Sequence, residues 1–147
     1  MRSVLINIQT QTLHLNDKTY AISSAKNGLG EVTGSFKTPR GAHRIHAKIG
    51  GDQPIYTVFR GRVPTGEIWT EALSEKKPDQ DFILSRILWL QGPDTPLNRY
   101  IYIHGTNDEK NIGVPVSLGC IRMRNQDVLD LYEKVAVGDE VIIKESL

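Results

Sequence analysis

RYIYIHGTNDEKNIGVPVSLGCIRMR, residues 99–124, decides how the rest of the chain is read. Tyr100, Ile101, Tyr102 and Ile103 are aromatic or β-branched and predict a strand. The strand is expected to break at His104-Gly105. A polar loop over 106–111 and a Gly/Pro-containing stretch then lead to Ser117-Leu118-Gly119-Cys120. Cys120 is the only cysteine of the chain and stands sixteen positions after His104. A loop of that length folds back easily, so a histidine at a strand end and a cysteine in a glycine-containing turn can meet. A free thiol has a pKa of about 8.5 and is only a few per cent thiolate at neutral pH. An imidazole alongside takes the proton and later returns it to a leaving amine. Gly119 permits an unusual turn, whose amides are a common source of an oxyanion hole. Spacing alone does not separate such a nucleophile from an inert buried thiol.

The residues add a sharper signal. Ile103-His104-Gly105-Thr106, followed by Ser117-Leu118-Gly119-Cys120-Ile121-Arg122-Met123, resembles the signature of the L,D-transpeptidase catalytic domain, the YkuD family. Members carry an IHGT-like element and then S-x-G-C-(I/V)-R-(L/M) at about this separation. Thr38-Pro39-Arg40-Gly41-Ala42-His43-Arg44-Ile45 resembles a second family segment, TPxGxFxI, a turn feeding a strand near the active site. There is one departure. Many members have His before the Gly-Cys pair, where this chain has Leu118, so any donor role of that side chain is absent.

Composition sets outer bounds. At 147 residues the chain is expected to be one catalytic domain, 1–147. Hydrophobic residues make up 39%, enough for a sizeable core. A net charge of +1 argues against nucleic acid as a partner. No stretch reaches the ~18 apolar residues of a membrane span. The opening VLINIQTQTLHL is interrupted by Asn7, Gln9 and Gln11, so no signal-peptide core is read there. A cytoplasmic protein is the expectation; the cell envelope replaces it if the chain is a trimmed form.

The remaining pattern is that of short strands. Residues 4–15 alternate, Asn16-Asp17 reads as a turn, and 18–23 as a returning strand. The run 71–81, EALSEKKPDQD, reads as a solvated loop. FILSRILWL, 82–90, has the length of a helix, but its flanking Asp81 and Gly92-Pro93 favour a central strand. Trp89 in that run is expected in the core rather than as a substrate platform. Asn125 reads as an N-cap for an amphipathic helix over 126–134, followed by a final strand over 140–144. The expected fold class is therefore mainly β (α+β), a sandwich or open barrel with one helix in the C-terminal half. His43 and His46 stand three apart on a strand and so on opposite faces, which argues against a shared metal.

The resemblance implies acyl transfer on peptidoglycan stem peptides without a cofactor. In that reading Cys120 is the nucleophile, His104 the base and then acid, and the Gly105 carbonyl orients the imidazole. Amides near Leu118, Gly119 and Cys120 form the oxyanion hole. Ser117 either hydrogen-bonds within the loop or shapes the turn. Arg122 either grips a substrate carboxylate or braces the cysteine loop. Thr106 and Tyr102 are candidate cleft residues. The thiolate attacks the carbonyl on the L-centre of meso-diaminopimelate, and D-Ala leaves. Water as acceptor makes an L,D-carboxypeptidase of murein recycling, the reading expected for a cytoplasmic chain. An amine makes an L,D-transpeptidase. A silent murein-binding module is the third alternative. No motif specifies an oligomeric state.

Overall fold

Side chains that alternate between buried and exposed draw most of the chain into one sheet. The structure, a computed structural model, describes residues 3–32 and 34–146. Met1 and Arg2, which precede the segment read as having no signal-peptide core, lie outside the described residues. The strands are β1 (Ser3–Asn7), β2 (Thr12–Leu15), β3 (Lys18–Ser23), β4 (Gly41–Ile49), β5 (Thr57–Arg60), β6 (Val63–Ile68), β7 (Ile83–Gln91), β8 (Tyr102–Gly105), β9 (Ile121–Met123) and β10 (Glu140–Lys144). Two helices join them, α1 (Glu71–Lys76) and α2 (Asn125–Lys134).

The strand order is β4-β10-β1-β2-β3-β9-β8-β7, and β4 also pairs with β7 from Arg44↔Gln91 to Ile49↔Ile87. Eight strands thus close into a barrel-like sheet, and β5 and β6 extend from β7 as a hairpin. The expected mainly β class holds, and the barrel is closed rather than open. Closure removes the free edges that β4 and β7 would otherwise carry. Inside lie Val4, Ile6, Leu13, Ile22, Leu88 and Val141, and α2 adds Val128, Leu131 and Val135 to the same core. Among the described residues no helix is long and apolar enough to cross a membrane.

Several elements differ from the sequence expectation. The Thr/Gln region after Ile8 is itself a turn, with Gln11 at φ 53°, so residues 4–15 form two antiparallel strands. The polar run after Trp69 is not all loop. Thr70 caps a short helix, its hydroxyl accepting the Leu73 amide at 3.3 Å, and Leu73 packs toward Val58, Phe82 and Leu84. One apolar side chain facing a small cluster was too weak a periodicity to read. Tyr100 is not in a strand; it stands at φ 53° after the 3-10 turn Leu97–Arg99. The following strand runs on through His104 and Gly105. Asn125 is the first residue of α2 rather than its cap. The Glu109 carboxylate takes that role from another loop, accepting the Asn125 amide at 2.7 Å.

The expected central strand, β7, carries a bulge between Leu84 and Ile87, with Ser85 at φ 73°. Trp89 lies half-buried outside the barrel core, edge-on to Tyr102 and His46 and beneath the Arg62 guanidinium. His43 is buried, with Nε2 2.8 Å from Thr95 Oγ1, while His46 is exposed on the other face of β4.

Candidate active site

β8 and β9 run parallel, pairing Ile103 with Ile121, His104 with Arg122 and Gly105 with Met123. Ile103, Ile121 and Met123 are fully buried in the barrel core. Strand alternation therefore sends Tyr102, His104, Cys120 and Arg122 to the opposite face. Cys120 directly precedes β9 and lies against Tyr102, whose amide donates to Sγ at 3.4 Å. In turn Sγ donates to the Tyr100 carbonyl at 3.4 Å. Cys120 and His104 are thus same-face neighbours one register step apart on adjacent strands. Among the described residues, the hydrogen bonds of Sγ go to the main chain of Tyr100 and Tyr102 and not to the His104 ring.

The imidazole is tightly held. His104 is 2% exposed, and its Nδ1 lies 2.6 Å from the Gly105 carbonyl oxygen. That contact places the proton on Nδ1 and leaves Nε2 as the exchangeable nitrogen. Glycine is required at 105 because a Cβ there would come 2.7 Å from the Leu84 carbonyl and overlap the Asn125 side chain. Asn125 is the hub behind this strand end. Its Nδ2 donates to the Thr106 carbonyl at 2.8 Å and to Glu109 at 2.9 Å, and its Oδ1 accepts from Ser85 at 2.6 Å.

The cysteine turn is braced from two sides. Ser117 Oγ donates to the Cys120 carbonyl at 2.6 Å and accepts the Gly119 amide at 3.2 Å. Thr38 Oγ1 donates to the Gly119 carbonyl at 2.9 Å while accepting the Ala25 amide at 2.9 Å. This ties the Thr-Pro segment to the cysteine. Gly119 has φ 134°, and a Cβ there would sit 3.3 Å from the Lys37 carbonyl, so the turn needs glycine.

Electrostatics set both partners neutral at rest. Packing around the sulfur pushes the Cys120 thiol up to about 11; the Asp81 carboxylate adds to the rise, while the Tyr102 amide, Arg122 and Arg99 oppose it. Burial lowers the His104 pKa, against the Gly105 carbonyl and Asp81, which favour the charged form. Arg122 neither faces open solvent nor braces carbonyls. Its Nη2 pairs with Asp81 at 2.7 Å and its Nη1 with Asp108 at 3.8 Å. Thr106 is fully buried, accepting the Asp108 amide at 3.1 Å. The Tyr102 hydroxyl accepts from Arg62 at 2.8 Å. Leu118 is 66% exposed.

Two cavities flank this face. Cys120 opens on one of about 150 Å³ lined by Phe36, Arg99, Tyr100, Ile101 and Leu118. One of about 700 Å³ lies at Arg122 and Thr106, walled by Asp81, Asp108 and Trp69. Among the described residues, no three His, Cys, Asp or Glu side chains are grouped to hold a metal. Arg99, Thr38, Asp81 and Asn125 carry site roles that their sequence readings (none for Arg99, a motif turn, a strand flank and a helix cap) did not include. Arg99 and Thr38 stand inside or beside the two motif segments, and that adjacency was the available signal; Asp81 and Asn125 act only through long-range contacts.

Comparison with known proteins places the chain in a family. YqjB of Bacillus subtilis, named as an L,D-transpeptidase, is 49% identical over 108 residues, covering 62% of this chain and 59% of that protein. YbiS of Escherichia coli, also so named, is 49% identical over 57 residues, 34% of this chain and 19% of that protein. The chain therefore spans less than two thirds of the length of either relative. L,D-transpeptidase 3 of Mycobacterium tuberculosis, solved with a faropenem-derived adduct, superposes with a TM-score of 0.64 at 17% identity, covering 98% of this chain and 60% of that one. LdtMt1 in complex with imipenem gives 0.59 at 18% identity, over 97% and 58%. At these identities the two structures speak to the fold alone. The family model of the L,D-transpeptidase catalytic domain matches residues 1–143, and the chain belongs to that family, YkuD.

Proposed function

We propose that the protein is a cysteine acyl-enzyme acting on peptidoglycan stem peptides. The observation that carries this is the register of β8 on β9, which gives Cys120 and His104 one face and adjacent steps. For attack, the Cys120 side chain has to turn from the Tyr100 carbonyl toward His104 Nε2. Such hydrogen bonds are often long before substrate arrives and tighten in the reacting complex.

Because both groups rest neutral, proton transfer accompanies attack. Sγ bonds to the carbonyl carbon on the L-centre of the third stem residue while its proton passes to His104 Nε2. The Gly105 carbonyl stabilises the imidazolium so formed. The Gly119 amide is occupied by Ser117, so the developing oxyanion falls to the Leu118 and Cys120 amides. The C–N bond breaks, the imidazolium protonates the departing D-Ala amine, and a thioester remains. Water, deprotonated by His104, then releases the tripeptide carboxylate and restores the thiol.

Hydrolysis, with water as the acceptor of the acyl group, is the leading outcome in this reading. That outcome trims tetrapeptides to tripeptides on soluble muropeptides, and murein recycling in the cytoplasm is its natural setting. The names of the relatives support transpeptidation as the second reading. Incubating the protein with disaccharide-tetrapeptide and weighing the products decides. Loss of D-Ala alone supports the carboxypeptidase; dimers or D-amino-acid exchange support the transpeptidase. Bound but unchanged tetrapeptide leaves only a murein-binding module.

A further inference from the structure

Beside Cys120 the small cavity has one cationic wall. Arg99 Nη1 donates to the Glu31 carbonyl at 2.7 Å, and Nη2 to the carbonyls of Gly30 at 3.2 Å and Lys37 at 2.6 Å. Three neutral acceptors hold the guanidinium rigidly, and Glu31 stabilises its charge only from a distance. Among the described residues it has no carboxylate within ion-pair distance, and the nearest, Glu31, engages Arg40 at 3.5 Å. The other walls are apolar. Phe36, Tyr100 and Leu118 are 55%, 49% and 66% exposed, yet all three line this one cavity. A cation and an apolar rim around about 150 Å³, beside a thiol, match a small amino acid bearing a free carboxylate.

The geometry points to Arg99 as the residue that binds the terminal carboxylate of the amino acid expelled by Cys120, with Phe36, Tyr100 and Leu118 enclosing that residue's side chain. This rests on the stem-peptide reading for the identity of the expelled group. The anion site itself does not. Arg99 acts by binding; the bonds made and broken at the thioester step are unchanged.

The first test therefore uses no stem peptide. Cys120 is alkylated by iodoacetate and by iodoacetamide, one anionic and one neutral, and labelling is followed by mass. Loss of Arg99 also raises the thiol pKa, but that slows both reagents alike and cancels in their ratio. The iodoacetate/iodoacetamide rate ratio is expected to fall about fivefold or more in Arg99→Gln, the factor for one charge at about 4 Å in water. Arg99→Lys, which keeps the charge, is expected to retain most of the wild-type ratio. The second test compares wild-type protein on tetrapeptides ending in D-alanine and in D-alaninamide, which needs no variant and so survives any loosening of the 30–37 loop. A marked preference for the free acid supports the assignment. An alkylation ratio indifferent to Arg99 overturns the anion site whether or not tetrapeptide is cleaved. A responsive ratio with no cleavage keeps the anion site and overturns the stem-peptide reading. Equal cleavage of acid and amide overturns the carboxylate assignment.

Discussion

Replacing Asn125 by Asp should destabilise the protein in proportion to pH. The substitution keeps the acceptor that Ser85 uses but puts an oxygen where Nδ2 stood. That oxygen faces the Thr106 carbonyl at 2.8 Å and the Glu109 carboxylate at 2.9 Å. Two ionised carboxylates at about 4 Å repel by about 4 kcal/mol at an effective dielectric of 20. The alternative is to hold a proton on the pair. For a group of unfolded pKa about 3.9, that costs about 4 kcal/mol at pH 7. The two estimates agree, and the α2 dipole returns about 0.3–1 kcal/mol to an acid in the first turn. The folded pKa lies above the unfolded one, so the folded state binds the extra proton. Stability relative to wild type is thus kept below about pH 4 and lost as pH rises, by about 1.4 kcal/mol per unit until the folded pKa is passed. Urea unfolding of both proteins at pH 5 and pH 7.5, followed by tryptophan fluorescence, measures this. A penalty below about 1 kcal/mol at pH 7.5, or one equal at both pH values, would refute the hub assigned to Asn125.

Other residues around the cysteine give further tests. The Cys120 thiol, held near 11, should be only about one part in 10⁴ ionised at pH 7. Its alkylation rate should rise about tenfold per pH unit from 7 to 9; a plateau below pH 8 would reveal a standing thiolate–imidazolium pair instead. Thr38→Val removes the hydroxyl that serves both the Ala25 amide and the Gly119 carbonyl. Leaving both buried groups unmet should cost about 2–4 kcal/mol in urea unfolding; a neutral result would mean the Thr-Pro segment does not brace the turn. Gly119→Ala should cost about 1–3 kcal/mol through backbone strain at φ 134°, and should slow Cys120 labelling.

The strands were legible where one face is buried and the other is not, as at Val4 and Ile6 or in the final strand. Pairing was not. Closure of the barrel by β4 on β7 and the parallel seating of β8 on β9 join residues far apart in sequence, and alternation says nothing about partners. His104 and Cys120 could be singled out by residue type and motif, but their shared face is a fact of register. Arg122 offered two readings from sequence; in the structure it lines the larger cavity and pairs with Asp81, which was read only as a strand flank. The Glu109 cap on α2 was illegible because it comes from another loop, whereas the Thr70 cap was written locally and passed over in a polar run. Arg99 stood in plain view, but its worth lies in three carbonyls about sixty to seventy residues upstream.

The account depends on Cys120 becoming covalently acylated with His104 handling the proton. Intact mass of the protein after exposure to a carbapenem such as imipenem tests this most directly. A single adduct should form on Cys120 in the wild type, be absent in Cys120→Ala, and form far more slowly in His104→Ala. Wild-type protein that stays unmodified on long exposure, or an adduct that persists without Cys120, would contradict it.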